Sequence, residues 1–134
     1  MNSQGKKVMI VDDSKAMIML LKRILEGNGY QIIGEVQSGE EAVARYDELK
    51  PDLVTMDLIL PGISGIDAVK RILQNDPKAC IVAVSSVGGT PEKLMEALKA
   101  GARNVISKPF NPEKVVKILN DALSAHSALL KGEK

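Results

Sequence analysis

Five short apolar segments, each followed by a stretch with helical periodicity, constrain the fold of this chain more than any other feature. Four of the five are almost continuously apolar, which is typical of strands covered on both faces of a sheet. Strands that alternate with helices favour a parallel sheet, because each parallel crossover needs about a dozen residues or more. The apolar segments are residues 8–11, 32–36, 53–56, 81–84 and 104–106.

Polar residues at the boundaries of these segments mark where the helices begin. Ser38 and Ser64 each stand three residues before an acidic side chain, which is the spacing of a capping box. Thr90 and Asn111 each precede a proline, which suits the first helical position because its missing N–H costs nothing there. The pattern predicts an α/β fold: a doubly wound five-stranded parallel sheet with five helices.

Spacing and residue type also predict which side chains of the second half are buried. On the last helix, Val116, Leu119 and Leu123 are expected to face the sheet. His126, near the end of that helix, is expected to be solvated. Cys80, at the start of the fourth strand, is expected to be a small buried hydrophobic residue.

Length and charge exclude several classes of protein. A chain of 134 residues is expected to form one compact domain, which leaves little room for a second catalytic or DNA-binding unit. The net charge is only +1, so we expect no nucleic acid partner. The aromatic content of 2% nearly excludes a base-stacking surface, and the single cysteine excludes an internal disulfide and a thiolate zinc site.

The two ends of the chain predict its location and its domain boundaries. Residues 1–7 are polar and lead directly into a short strand, unlike a signal peptide, and no apolar run reaches membrane-spanning length. We therefore expect a cytoplasmic protein without membrane insertion. Residues 1–127 are predicted to form the domain, and 128–134 a short polar tail.

Polar residues follow four of the five apolar segments, where ligands bind in an open parallel sheet. Asp12 and Asp13 follow the first segment, Asp57 the third, Ser85 the fourth and Lys108 the fifth. Three carboxylates at one edge repel each other unless a hard cation such as Mg²⁺ joins them. The lysine adds a mobile positive charge that can follow a phosphoryl group. These residue types predict phosphoryl transfer through an aspartyl phosphate.

The motifs around these positions resemble the receiver domain of two-component response regulators. The resemblance covers residues 6–123, and the ordered set of motifs is far more specific than any one of them. The motifs are VDDS at 11–14, MDL at 56–58 followed by PG at 61–62 and Gly65, VSS at 84–86, and KPF at 108–110. The resemblance implies a flavodoxin-like sheet with strand order 2-1-3-4-5.

The resemblance also implies a role for each acidic residue. Asp57 corresponds to the phosphoacceptor, which takes the phosphoryl group from a histidine kinase, a phosphotransfer protein or a small acyl phosphate. Asp12, Asp13 and Asp57, with the backbone carbonyl of Ile59, correspond to the residues that bind Mg²⁺. Lys108 corresponds to the lysine that pairs with the acceptor and then with the phosphoryl oxygens.

Two further features are implied by the resemblance. The peptide bond from Lys108 to Pro109 is expected to be cis, and Ser85 is expected to move toward the phosphoryl group and couple it to a distal surface. That output surface is expected on the fourth helix, fifth strand and fifth helix. Its predicted residues are Lys93, Ala97, Lys99, Val105 and Lys114.

These features predict a single-domain response regulator that signals by phosphorylation-dependent docking to another protein, as a monomer or a weak phosphorylation-dependent dimer. Chemotaxis and a phosphorelay are both open as pathways. An alternative is a degenerate receiver that binds its partner without phosphorylation. A phosphatase of the haloacid dehalogenase type is disfavoured because Ile59 stands where that family has its second aspartate. A dinucleotide or P-loop site lacks its glycine-rich loop.

The chain departs from the usual receiver pattern at three positions. Val105 replaces the aromatic residue whose ring normally turns inward, so the signal is expected to travel through the backbone of residues 86–91 or through smaller side chains. Ile59 and Val87 are apolar where many receivers have polar groups that orient the attacking water. These two residues predict slow self-dephosphorylation.

Overall fold

The computed structural model describes residues 5–86 and 90–130, and these residues form five parallel strands that alternate with five helices. The strands are β1 (Lys7–Val11), β2 (Gln31–Val36), β3 (Leu53–Asp57), β4 (Ile81–Ser85) and β5 (Asn104–Ser107). The helices are α1 (Lys15–Glu26), α2 (Gly39–Leu49), α3 (Gly65–Asn75), α4 (Pro91–Ala100) and α5 (Pro112–Leu130). The order β2-β1-β3-β4-β5 confirms the predicted fold class and topology.

The sheet is covered on both faces, as its continuous apolar strands predict. Val8 and Ile10 of β1 face the layer of α1 and α5, where they pack with Leu21 and Leu119. Met9 of β1 points to the opposite layer, which α2 and α3 supply. Because successive side chains of a strand alternate between faces, one short strand contributes to two separate cores.

Capping hydrogen bonds begin four of the helices at the sites that the sequence predicts. The side-chain oxygens of Ser38, Ser64, Thr90 and Asn111 each accept a hydrogen bond, at 3.1 to 3.2 Å, from the backbone N–H three residues later. Each cap stabilises its helix by about 1 kcal/mol. The caps also place the strand-to-helix loops at the carboxyl edge of the sheet.

The buried stripe of α5 differs by one position from the prediction. Val115 is buried and Val116 is only half-buried, while Leu119 and Leu123 face the core as predicted. One residue rotates the side chain by about 100° around a helix axis. The buried stripe of α5 therefore begins at Val115, one residue before the predicted Val116.

The end of α5 also differs from the prediction. His126 is 8% exposed, and its Nε2 contacts the carbonyl oxygen of Lys78 before β4. The prediction of a solvated histidine is wrong because the end of α5 packs against the residues that precede β4. The helix continues to Leu130, so the first three residues of the predicted tail are helical, and residues 131–134 lie outside the described part.

The single cysteine is buried as predicted. Cys80 is 2% exposed, and burial raises the pKa of its thiol to about 11. A thiol that is rarely ionised is a poor nucleophile. Among the described residues, no helix combines the length and the apolar character needed to cross a membrane.

Candidate phosphoryl-transfer site

The carboxyl edge of the sheet brings together the acidic residues that the sequence places after β1 and at the end of β3. Oxygen atoms of Asp12, Asp13 and Asp57 all lie within 4.8 Å of one another. Asp12 and Asp57 are buried, whereas Asp13 is exposed. The cluster is therefore partly closed by protein and open to solvent on the side of Asp13.

Lys108, in the loop after β5, joins the two buried carboxylates. Its Nζ lies 2.9 Å from Asp12 Oδ2 and 3.1 Å from Asp57 Oδ2. The lysine follows β5 at the far side of the sheet, so its long side chain crosses β4 to reach the acids. This contact links the ends of β1, β3 and β5 across four neighbouring strands, since β4 lies between β3 and β5.

Backbone N–H groups of two loops orient the buried carboxylates. Asp12 Oδ1 accepts a hydrogen bond from the N–H of Ser14 at 3.0 Å, and Asp57 Oδ1 accepts one from the N–H of Ile59 at 3.0 Å. In each carboxylate, one oxygen is held by its own loop and the other faces Lys108. The two groups thus have defined orientations before any ligand arrives.

Burial, hydrogen bonds and neighbouring charges shift two pKa values of the site. Burial raises the pKa of Asp57, and the charge of Asp12 adds to this, while the Ile59 N–H and Lys108 oppose it. Burial disfavours the charge of Lys108, but its hydrogen bonds to Asp12 and Asp57 outweigh burial and raise its pKa. The lysine therefore stays positive at neutral pH. An additional positive charge would stabilise the ionised form of Asp57.

Ser85 ends β4, the strand next to β3, and its hydroxyl bonds to the neighbouring backbone. Its hydroxyl donates a hydrogen bond to the carbonyl of Ser86 at 3.3 Å. Ile59, next to the acceptor, is 60% exposed and forms an apolar rim. The peptide bond from Lys108 to Pro109 is cis, which confirms that expectation. Val87, the other apolar position of interest, lies outside the described residues, as does part of the 86–91 loop.

The five residues predicted for the output surface differ in their exposure. Lys93 and Lys114 are exposed and Val105 of β5 is half-buried. Ala97 is fully buried. The assignment of Ala97 to the surface is wrong, because this alanine is the point where α4 packs on the sheet.

Lys99 is exposed, but on the other side of α4. It lines a shallow depression together with Ile66 and Lys70 of α3. The apolar residues that α4 does expose are Met95 and Leu98, at 54% and 42%. Met95 stands two positions before the buried Ala97, a spacing that places the two side chains on opposite sides of the helix.

Two polar residues outside the predicted motifs contact the loops of the site. The Nε2 of Gln37 donates a hydrogen bond to the backbone carbonyl of Asp13 at 3.1 Å. Glu40 Oε2 accepts one from the N–H of Ile63 at 3.1 Å. No local motif identifies these partners, because each bond joins residues more than 20 positions apart.

Comparison with known proteins decides the family of this chain. The profile of the response regulator receiver domain matches residues 8–120. The chain belongs to the response regulator receiver domain family. The match covers most of the chain, which is essentially a single receiver domain.

Two curated relatives of this receiver domain are chemotaxis proteins. The chemotaxis protein CheY of Thermotoga maritima is 50% identical over 116 residues, which cover 87% of this chain and 96% of that protein. CheY of Bacillus subtilis is 40% identical over 118 residues, which cover 88% of this chain and 98% of that protein. The receiver domain is therefore closely related to phosphorylatable response regulators of two-component signalling.

A solved structure supports the same relation. The crystal structure of the CheX-CheY-BeF3-Mg²⁺ complex from Borrelia burgdorferi contains a chain with a TM-score of 0.84 and 31% identity to this receiver domain. The similarity covers 88% of this chain and 89% of that one. The flavodoxin-like fold of the receiver domain is thus confirmed by both topology and comparison.

Proposed function

We propose that this chain is a single-domain response regulator that accepts a phosphoryl group on Asp57 in a Mg²⁺-dependent reaction. The observation that carries the proposal is the contact of Lys108 with both Asp12 and Asp57 inside a cluster of three carboxylates. The phosphoryl donor is a histidine kinase or a phosphotransfer protein. The product signals by binding a target protein in the cytoplasm, as a monomer or a weak phosphorylation-dependent dimer.

The donor atoms of the cluster fit Mg²⁺. Asp12, Asp13 and Asp57 supply carboxylate oxygens within 4.8 Å of one another, and magnesium prefers a few hard oxygen ligands completed by water and phosphate. The backbone carbonyl of Ile59 is the fourth protein ligand in this proposal. When bound, the ion neutralises the carboxylates and the negative charge of the phosphoryl oxygens. The Borrelia complex, named with Mg²⁺ and BeF3, supports this assignment.

Asp57, Ile59 and Lys108 each have a separate role in the phosphoryl transfer. A carboxylate oxygen of Asp57 forms the new bond to phosphorus, while the bond from phosphorus to the donor histidine nitrogen breaks and the imidazole leaves. The Ile59 N–H fixes the angle of the nucleophile through Oδ1. Lys108, already on Oδ2, stabilises the charge of the transferred group.

The switch in this proposal begins at Ser85. Its hydroxyl leaves the Ser86 carbonyl and donates to the phosphoryl group, and the backbone after β4 follows. Val105 has no aromatic ring that could rotate, so a displacement of α4 transmits the signal. The target-binding face consists of Lys93, Val105 and Lys114, to which the structure adds the exposed Met95 and Leu98. The pathway we favour is chemotaxis, because both curated relatives described above are chemotaxis proteins.

The rim of the site supports slow self-dephosphorylation. Ile59 is 60% exposed beside Asp57 and cannot position a water by hydrogen bonding. Ile59→Asn is expected to shorten the lifetime of the phosphorylated protein several-fold, measured by loss of the phosphoryl mass after removal of the donor. A wild-type lifetime of seconds contradicts slow dephosphorylation.

Intact mass spectrometry tests the proposal directly. Wild-type protein and the Asp57→Asn variant are incubated with acetyl phosphate, with Mg²⁺ or with EDTA. We expect a gain of one phosphoryl group only in wild type with Mg²⁺. Phosphorylation of the variant, or phosphorylation in EDTA, contradicts the assigned site. No gain from acetyl phosphate or from a histidine kinase, with no Mg²⁺ binding, supports the alternative of a degenerate receiver that binds its partner without phosphorylation.

A further inference from the structure

The first turn of α2 and the residues before it contact the loop after β1, which carries Asp12 and Asp13, and the loop after β3, which follows Asp57. We propose that Gln37, Gly39 and Glu40, here called the α2 brace, are positioning residues that set the distance between these loops and so the affinity for Mg²⁺. The inference deepens the proposed function and rests on it. The brace touches neither phosphorus nor Mg²⁺ itself and acts through the residues it holds.

The first contact of the brace is with the loop after β1. Gln37 Nε2 donates a hydrogen bond to the carbonyl of Asp13 at 3.1 Å. Next to it, the N–H of Asp12 donates to the carbonyl of Val36 at 3.0 Å. Two consecutive acidic residues are thus tied by their backbone to two consecutive residues that lead into α2.

The second contact of the brace is with the loop after β3. Glu40 Oε2 accepts a hydrogen bond from the N–H of Ile63 at 3.1 Å. The approach is close, since a β-carbon added at Gly39 would lie 2.6 Å from Ile63 Cγ1 and one added at Gly62 would lie 2.6 Å from Glu40 Oε1. Gly62 also has a φ of +75°, which favours glycine. The loop can therefore move relative to α2 only by losing this contact.

Asp13 depends on the brace more than the other two acids do. Lys108 pairs with Asp12 and Asp57, and within residues 5–86 and 90–130 the carboxylate of Asp13 has no ion pair. Gln37 is the side chain that holds the backbone of Asp13. A cation that needs all three carboxylates selects one spacing of the loops, and groups that hold its ligands in place affect affinity strongly.

Two substitutions that preserve charge test the brace. Gln37→Met keeps the length of the side chain but removes its donor, and Glu40→Asp keeps the negative charge but shortens its reach to Ile63. Gln74→Met on α3 and Glu48→Asp at the end of α2 are matched controls, since both residues are exposed. The readouts are the Mg²⁺ dissociation constant by calorimetry and the unfolding midpoint in EDTA.

We expect each brace variant to raise the Mg²⁺ dissociation constant by roughly fivefold to tenfold, while the controls stay near wild type. The double variant is expected to lose less than the product of the two single effects, because both residues hold one spacing. Faster hydrogen exchange at the Ile63 N–H in Glu40→Asp, at an unchanged unfolding midpoint, confirms a local loss of the contact rather than general destabilisation.

The outcomes separate the two proposals. Wild-type protein that binds Mg²⁺, with unchanged dissociation constants in Gln37→Met and Glu40→Asp, overturns the brace and leaves the proposed function intact. Equal losses in the brace variants and their controls overturn it as well. Wild-type protein that binds no Mg²⁺ overturns the proposed function and the brace together.

Discussion

The packing under α4 differs from the packing around the centre of the sheet. The central layers contain large side chains that are fully buried, such as Ile10, Leu21 and Leu119. Within residues 5–86 and 90–130, the cluster beneath α4 contains Ala83, Ala97 and Ala102 with two larger buried residues, while α4 exposes Met95 and Leu98. Fewer dispersion contacts hold α4, so its displacement costs less than that of α1 or α5. The acidic cluster lies at the carboxyl ends of the densely packed central strands β1 and β3. The weakly held helix is α4, which follows Ser85 in the chain.

The largest expected effect compares one leucine from each region. Leu119→Ala is expected to lower the free energy of unfolding by about 3 kcal/mol, because it opens a cavity in the central core. Leu98→Ala on α4 is expected to cost less than about 1 kcal/mol, because the side chain is 42% exposed. Urea unfolding followed by circular dichroism measures both. Equal losses would remove the distinction between the two regions.

A glycine beside the acceptor tests how tightly the central region is built. A β-carbon at Gly65 would lie 2.0 Å from the carbonyl oxygen of Asp57, so α3 starts directly against the end of β3. Gly65→Ala is expected to cost about 2 kcal/mol and to reduce phosphorylation by acetyl phosphate. Gly27→Ala, at the end of α1 with a φ of −66°, is the control and is expected to change stability by less than about 1 kcal/mol. A fully stable, fully active Gly65→Ala protein would show that the edge tolerates displacement.

The acceptor itself is expected to reduce stability in the absence of metal. Burial raises the pKa of Asp57 above its value in the unfolded chain, so the folded protein holds this proton more tightly. The stability from this group is present at low pH and is lost as the pH rises through the raised pKa. Asp57→Asn is therefore expected to raise the unfolding free energy in EDTA by about 1 kcal/mol at pH 8, and by less at pH 4.5. A variant less stable than wild type at pH 8 would contradict this account.

The smallest expected effect uses the same substitution in both regions. Thr55 of β3 is fully buried and its hydroxyl has no hydrogen-bond partner among the described residues. Thr55→Val is expected to stabilise the protein by about 0.5 kcal/mol, because an isosteric methyl group needs no partner. Thr90→Val is expected to destabilise it by about 1 kcal/mol, because it removes the cap of α4. Opposite signs in thermal unfolding would support the comparison, and a destabilised Thr55→Val would reveal a hidden partner of that hydroxyl.

Much of the candidate site was predictable because its positions depend on local patterns. Asp12, Asp57 and Lys108 directly follow or end apolar strands, and parallel strands place those positions at one edge of the sheet. The caps at Ser38 and Ser64 are also local, since donor and acceptor are three residues apart. The functional roles of these residues remain predictions until the phosphorylation experiment is done.

The sequence by itself determined the order of the strands and helices, the family and the edge where the acidic residues meet, because each depends on periodicity or on residues near in the chain. Tertiary structure alone decided the burial of Ala97 and His126 and the contacts of the α2 brace. The bond from Gln37 to Asp13 spans 24 positions and the contact of His126 with Lys78 spans 48. Such contacts depend on how helices pack on the sheet, and local propensity carries no information about that packing.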